Sequence, residues 1–263
     1  MAQDVNKMYD WGILGCGWLG SAWGRQSQKS GKTAWGSTRR PEALANLKAA
    51  GIVPMPFDSK DPFPETWPSC QNLLVALPPS TGIKAFKLAA QRAAEAQWTV
   101  LISSSSVYPD GDGAYHEGDA VRRISPHSGV CLLDLETLFN PQTTSILRAG
   151  GLFGPGRHPG SFLRNRPLSR PSDPINVVHL DDVLGAIEYT SLRQLPGAFN
   201  LTAPELKSRA EFYSAAGAIH TPTTGETREE GRRIRSNRIM EHGYQFQHPD
   251  PAKTAFQMAK FDS

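Results

Sequence analysis

Three glycines set the first chemical expectation. Gly15-Cys16-Gly17-Trp18-Leu19-Gly20 follows the pattern G-x-G-x-x-G, directly after an apolar run and directly before a helix-like run. In that setting each glycine has its own mechanical role. Gly15 permits a tight turn, Gly17 lets the backbone approach a pyrophosphate, and Gly20 lets the helix pack close to the strand. The N–H groups that open the helix, from Trp18 and Leu19 onward, then meet the diphosphate. Glycines that only make a turn would give the same letters, and it is their place between strand and helix that points to a dinucleotide site. About twenty residues on, Gly36-Ser37-Thr38-Arg39-Arg40 closes a second strand-like run with no acid before Glu42. An acid there would bond the ribose 2′-OH of NAD, whereas arginine accommodates the 2′-phosphate of NADP. Ser37, Thr38, Arg39 and Arg40 therefore predict NADP, with NAD the less favoured cofactor. Solvation alone is the plainer explanation of the two arginines, although cations at a helix start oppose the helix dipole.

The elements that must position these residues alternate in type. Residues 10–14 read as a buried strand, 19–29 as a helix, 33–38 as a strand, 41–50 as a helix with proline in its first turn, and 52–57 as a third strand. After a proline-rich stretch over 54–68, residues 72–77 give a fourth strand, 83–97 an alanine-rich helix and 98–103 a fifth strand. A helical turn or two over 132–139 and a sixth strand over 144–148 follow. This order predicts an α/β fold with a doubly wound parallel sheet of the Rossmann kind. Residues 1–149 are expected to form the dinucleotide-binding domain, and 150–263 a small substrate lobe interleaved with its sheet. Leu77-Pro78-Pro79-Ser80 closes the fourth strand and is expected to line the cofactor crevice. Beyond Gly150 the composition turns to Gly, Pro and Arg, which predicts a long functional loop over 150–157. Ordered patterns return at 175–178, from Asp181 and at 198–201, with a helix over 209–216. The tail from residue 221 interleaves Arg228, Arg232, Arg233, Arg235 and Arg238 with Glu226, Glu229 and Glu230, the pattern of a solvated face rather than a phosphate site.

Composition removes other classes. The 263 residues carry 28 Lys plus Arg against 25 Asp plus Glu, a net of +3 that gives no reason to expect nucleic acid as partner. Hydrophobic residues at 39% and charged residues at 20% fit a folded chain rather than a disordered one. No apolar run approaches the roughly 18 residues of a membrane span, and residues 1–10 lack the basic-then-apolar pattern of a secretory leader. Three widely spaced cysteines, Cys16, Cys70 and Cys131, suit a reduced protein better than a disulfide framework or a metal site. A cytoplasmic protein acting on a small molecule, without metal, is the expectation.

Four further stretches carry a family resemblance. Ile102-Ser103-Ser104-Ser105-Ser106-Val107-Tyr108, the run Leu147-Arg148 to Gly154-Pro155-Gly156-Arg157, Val178-His179-Leu180-Asp181-Asp182-Val183, and Phe199-Asn200-Leu201 resemble, in order, motifs of the extended and atypical short-chain dehydrogenase/reductases, or NAD(P)-dependent epimerase/dehydratases. The resemblance covers residues 10 to about 250 and implies an oxidoreductase or epimerase-like activity on a small carbonyl or hydroxyl substrate. It implies that Ser104 bonds the reacting oxygen, with Ser103, Ser105 and Ser106 as other bearers and Ser103 also beside the cofactor. Asp181 and Asp182 open a helix and are expected to cap it. His179 is expected to be a packed strand residue. Cys16 lies in the cradle as a small filler, its reactivity open because a helix N-terminus lowers a thiol pKa.

One expected feature is missing. The family's chemistry rests on Tyr-x-x-x-Lys, yet none of the six tyrosines has a lysine four residues later, and no lysine occurs between Lys87 and Lys207. Val130 and Asp134 fall at or near the positions where the pair would stand. Two readings follow: a reductase or epimerase-like enzyme whose proton donor is Tyr108, Tyr115 or His127, or an NADP(H)-binding redox sensor or scaffold without turnover.

Overall fold

The computed structural model describes residues 7–58, 67–163, 167–218 and 231–261. Its elements in chain order are β1 (Tyr9–Leu14), α1 (Trp18–Lys29), β2 (Ala34–Thr38), α2 (Pro41–Ala49), β3 (Val53–Pro56), β4 (Cys70–Val75), α3 (Gly82–Ala93), β5 (Trp98–Ser104) and β6 (Gly113–Tyr115). There follow α4 (Leu132–Glu136), β7 (Thr144–Ala149), β8 (Gly151–Phe153), β9 (Val177–His179), α5 (Leu180–Leu192), β10 (Gly197–Leu201), α6 (Arg209–Ala215), β11 (Arg232–Ile234), α7 (Asn237–Glu241) and α8 (Pro251–Phe261). Seven strands form one sheet in the order β10-β7-β5-β4-β1-β2-β3. The pairs β1–β2, β2–β3, β1–β4 and β4–β5 are all parallel. This is the doubly wound Rossmann arrangement that the alternation predicts. Among the described residues no helix is long and apolar enough to cross a membrane.

Strands covered on both faces must be apolar along their whole length, and Leu73, Leu74, Val75, Val100 and Leu101 are essentially without exposure. The chain divides into two compact units. The first comprises Met1–Ser103, Arg122–Leu147 and Ile187–Ala198, and the second Ser104–Val121, Arg148–Ala186 and Phe199–Ser263. In the first, Gly12 faces Trp35 so closely that a Cβ there would lie 2.3 Å from the indole, and Trp35 meets Trp67 edge-on at 4.8 Å. Arg92 is buried on the same side, donating to the carbonyls of Trp67 and Pro68 and pairing with Glu95. The second unit has its own core of Phe153, Val177, Phe212, Tyr213, Ala216 and Ala255.

Two expectations are corrected. Residues 151–153 are not loop: they form β8, which pairs in parallel with β9, Leu152 opposite Val178. The strand forms because Phe153 is fully buried against Phe212 and His179, a contact outside the reach of local pattern. Nor is the basic tail uniformly a solvated face. Glu226, Arg228, Glu229 and Glu230 lie outside the described residues, but Arg232 belongs to β11, donating through Nε to the Pro109 carbonyl at 2.7 Å and through a terminal nitrogen to the Ser105 carbonyl at 2.8 Å. Arg238 lies over the Phe199 ring at 4.8 Å.

Candidate dinucleotide cradle and strand-end site

The sheet reverses its winding at β1. From β1 the chain runs outward to β2 and β3, then returns to place β4 on the other side of β1. Ligands of open α/β sheets bind at such a switch point, beyond the carboxyl ends of the strands. Leu14 is level with Val75, and Val75 with Leu101, so Gly15 and Ala76 leave the sheet at one edge while β5 runs on to Ser104.

The three cradle glycines differ in what surrounds them. Gly15 has φ +96°, and a Cβ there would meet the Ala76 carbonyl oxygen at 2.8 Å; only glycine takes this turn without strain. A Cβ on Gly20 would lie 2.3 Å from the Gly15 carbonyl oxygen and 3.2 Å from Ile13, so its absence lets α1 approach β1. A Cβ on Gly17 would meet nothing within 4 Å. Gly17 therefore gains nothing from being small within the chain itself, and the space it leaves faces outward. It caps α1 with no side-chain hydrogen bond, and no acid stands in the helix's first turn, so the positive end of the dipole is not neutralised by the chain's own carboxylates.

Ser37 holds this loop in place. Its hydroxyl accepts from Gly15 N–H at 3.1 Å and its carbonyl accepts from Cys16 N–H at 2.7 Å. Both Ser37 and Thr38 are buried, and Thr38 Oγ1 accepts from Arg40 N–H at 3.2 Å. Arg39 and Arg40 are exposed at the start of α2. Trp18 is half-buried, whereas the Leu19 side chain turns into the core, which leaves its backbone as the part facing the cradle. Cys16 is buried beneath, where a Cβ on Gly36 would strike its sulfur at 2.3 Å. Burial pushes its thiol pKa up to about 12 against the opposing Arg25, as befits a buried filler.

Leu77 and Pro79 are half-buried and Pro78 exposed beyond the end of β4. Pro79 borders a small enclosed cleft with Phe86, Ser103, Leu132, Leu135 and Glu136. Inside it Ser103 Oγ donates to the buried carboxylate of Glu136 at 2.6 Å. That carboxylate, projecting from α4, is a site feature the sequence alone does not reveal. A buried acid five residues into an apolar turn is its only signal there. Val130 and Asp134 do not form a proton-transfer pair: Asp134 pairs with Arg122.

The serines at the end of β5 divide by role. Ser104 Oγ accepts from Ser106 N–H at 3.2 Å and lies 3.0 Å from Ser106 Oγ, and both side chains are half-buried. Tyr108 has no exposed surface; its hydroxyl donates to Asn200 Oδ1 at 2.6 Å and accepts from Arg148 at 3.0 Å. Burial raises its pKa, the Arg148 guanidinium working against that. Asn200 Nδ2 donates onward to the Arg235 carbonyl, and Arg148 to that of Glu117. Tyr115 stacks on Tyr108 at 5.9 Å and donates to the Gly111 and Asp112 carbonyls. His127 is exposed in a turn. His179 is a buried strand residue, its pKa pulled down to about 4 by burial and by His248. Asp182 is buried but caps a different segment from the one expected. Its carboxylate accepts from the N–H groups of Gln247 and His248, and burial raises its pKa against those bonds.

No protein-family model matches the chain. It is 37% identical over 164 residues to Protein YeeZ of Escherichia coli K12, a match that covers 58% of this chain and 59% of that protein. The chain thus spans about three fifths of the curated relatives it matches. Among solved structures, UDP-N-acetylglucosamine 4-epimerase from Bacillus cereus superposes with a TM-score of 0.71 at 14% identity over 95% of both chains. This is the fold of the extended short-chain dehydrogenase/reductases. The Bordetella bronchiseptica enzyme WbmG, solved with NAD and UDP, shares it at a TM-score of 0.70 and 15% identity, over 97% of this chain and 94% of the other.

Proposed function

We propose that the chain binds NADP(H) in the cradle and acts as an atypical short-chain dehydrogenase/reductase on a small carbonyl or hydroxyl substrate, without a Tyr-x-x-x-Lys pair. The observation that carries this reading is the contrast among the glycines: Gly15 and Gly20 are closed in by backbone, whereas Gly17 opens on empty space at a helix start with no side-chain cap. An open position at this one glycine is what a bound pyrophosphate requires. Gly17, the backbone at Trp18 and Leu19, and Gly20 would hold the diphosphate, while Arg39 and Arg40 would meet a 2′-phosphate. The nicotinamide, when bound, supplies or accepts the hydride. NAD in WbmG, on the same fold, supports a nicotinamide dinucleotide here; the arginines favour the phosphorylated form.

Ser104 would orient the reacting oxygen. Among the described residues its hydroxyl is engaged only by the neighbouring Ser106, unlike that of Ser103, whose proton goes to Glu136. Tyr108 would hold the second unit's residues 108, 148 and 200 together rather than move a proton, leaving the exposed His127 and the half-buried Tyr115 as donor candidates. The reading of a binder without turnover is favoured by one observation, the burial of Tyr108 between Asn200 and Arg148. Titrating intrinsic tryptophan fluorescence, to which Trp18 in the cradle contributes, with NADPH, and then following NADPH oxidation across a carbonyl panel, tests both. Tight binding with no oxidation of any carbonyl would favour the binder, and no binding would remove both.

A further inference from the structure

A second set of chemically capable residues belongs to the second unit. His179 ends β9, Asp181 stands in the first turn of α5, and His248, 67 residues after Asp181, precedes α8. His179 Nδ1 is 3.5 Å and His248 Nε2 is 3.3 Å from the same oxygen, Asp181 Oδ2. The two imidazole rings are 3.9 Å apart, and one ligand atom from each of the three residues lies within 4.8 Å of the others.

The surrounding hydrogen bonds say where the protons are. Thr254 donates its hydroxyl proton to the Asp250 carbonyl at 2.9 Å, so toward His248 Nδ1, at 3.4 Å, it can only accept. That places a proton on Nδ1, and Nε2, facing the carboxylate at 3.3 Å, holds either a second proton or a cation. Asp181 N–H donates to His179 Nδ1 at 3.2 Å, so that nitrogen carries a lone pair, and a cation there would take the place of this hydrogen bond. Two imidazole nitrogens and a carboxylate oxygen therefore converge on one small space.

We propose that His179, Asp181 and His248 bind a divalent transition cation of the zinc class. The donor set of two imidazoles and one carboxylate suits Zn²⁺, Co²⁺ or Ni²⁺ rather than the hard cations Ca²⁺ and Mg²⁺. Ligand bonds of about 2.0–2.2 Å in a tetrahedron give edges of about 3.4 Å, and the two edges to Asp181 are 3.3 and 3.5 Å. Asp181 is 49% and His248 25% exposed, which gives an ion a way in and leaves the fourth position to water. The outer groups are also in place: Thr254 orients the His248 ring, and buried Asp182 fixes the His248 backbone at 3.2 Å. Such partners set the tautomer and direction of a metal-bound histidine. Bound there, the ion would staple the β9–α5 corner to the segment entering α8.

The competing occupant is a single proton, which would make His248 an imidazolium paired with Asp181. The full chain, prepared without a polyhistidine tag and stripped with a chelator, is titrated with Zn²⁺ near neutral pH against a chromogenic indicator. Co²⁺ absorption reports the coordination geometry. One saturable site of micromolar affinity or tighter is expected, together with the intense visible bands of four-coordinate Co²⁺. His248→Ala and Asp181→Asn, at partly exposed side chains, should each weaken Zn²⁺ at least tenfold while circular dichroism is unchanged. Absence of saturation at micromolar Zn²⁺ would overturn the proposal. So would a site that survives both substitutions, or a melting temperature that responds to acidification and not to Zn²⁺.

Discussion

Replacing Gly17 by valine separates the two roles that glycines have in this loop. Gly17 has φ −78° and ψ −151°, extended backbone that any residue adopts, and a Cβ there meets nothing. The fold should therefore lose only what valine costs at an N-cap, about 1 kcal/mol, which corresponds to roughly 2–4 °C in Tm for a chain of this size. Gly20→Val is the opposite case. Its Cβ would start 2.3 Å from the Gly15 carbonyl oxygen, a backbone atom that cannot swing away, so the loss should reach or exceed the roughly 1–3 kcal/mol of ordinary overpacking. NADPH affinity should respond in reverse proportion to these stability losses. Gly17→Val puts a branched side chain where the pyrophosphate would lie and should weaken NADPH at least a hundredfold, about 2.7 kcal/mol, in a protein that still melts cooperatively. Thermal unfolding and titration of intrinsic tryptophan fluorescence on the same samples give both quantities. A folded Gly17→Val protein that binds NADPH as the wild type does would mean that the glycines only make a turn.

Three other outcomes are expected. NADPH should bind at least ten times more tightly than NADH, about 1.4 kcal/mol, and the Arg39→Ala, Arg40→Ala double variant should erase the difference in the same fluorescence assay; equal wild-type affinities would remove the role given to the arginines. Ser104→Ala should lower kcat on whichever carbonyl substrate first shows activity, by as much as the roughly 2.7–4 kcal/mol that one oriented donor is worth, with NADPH affinity unchanged. A fall in affinity instead would recast Ser104 as a cofactor ligand. Tyr108→Phe should cost about 1–3 kcal/mol in urea unfolding, because Asn200 Oδ1 and the Arg148 guanidinium each lose a buried partner; an unchanged midpoint would show that the phenol holds nothing together.

How much of this is legible in the sequence depends on how local the cause is. The order of strands and helices through β7, apart from the short β6 that pairs with distant β11, follows from apolar runs and from Gly15, Gly17 and Gly20, whose roles are fixed by neighbours within a few residues or by the adjoining strand. The expected third helix, 83–97, is too long: α3 stops at Ala93, because alanine-rich sequence continues the helical pattern past the point where the chain turns into β5. What stays hidden depends on distant partners. Phe153 turns a glycine-rich stretch into β8 only because Phe212 packs on it, and Arg232 reads as one charge in a run until the carbonyls of Ser105 and Pro109 are in reach. His179, Asp181 and His248 have no shared motif spacing, so their sequence context suggests only packing for the first and capping for the second.

The absence of Tyr-x-x-x-Lys has a counterpart in the structure that narrows the chemistry. A lysine beside the phenol would lower its pKa and make proton transfer efficient near neutrality. Here Tyr108 is buried and its pKa is raised despite Arg148, so it is poorly suited to give up a proton. The helix after β5 contributes a carboxylate instead of a lysine, and Glu136 draws the Ser103 hydroxyl proton toward itself. Ser103 and Ser104 are therefore not interchangeable, although the sequence offers them side by side: the first is an internal strut of the cleft, and the second keeps its hydroxyl among small neighbours at the strand end. If the chain reduces a carbonyl, hydride delivery from the cradle can be guided by Ser104, but the proton must come from a solvent-linked group. Accordingly, His127→Gln should suppress turnover and leave NADPH binding intact, and an unchanged kcat in that variant would leave Tyr115 or water as the proton source.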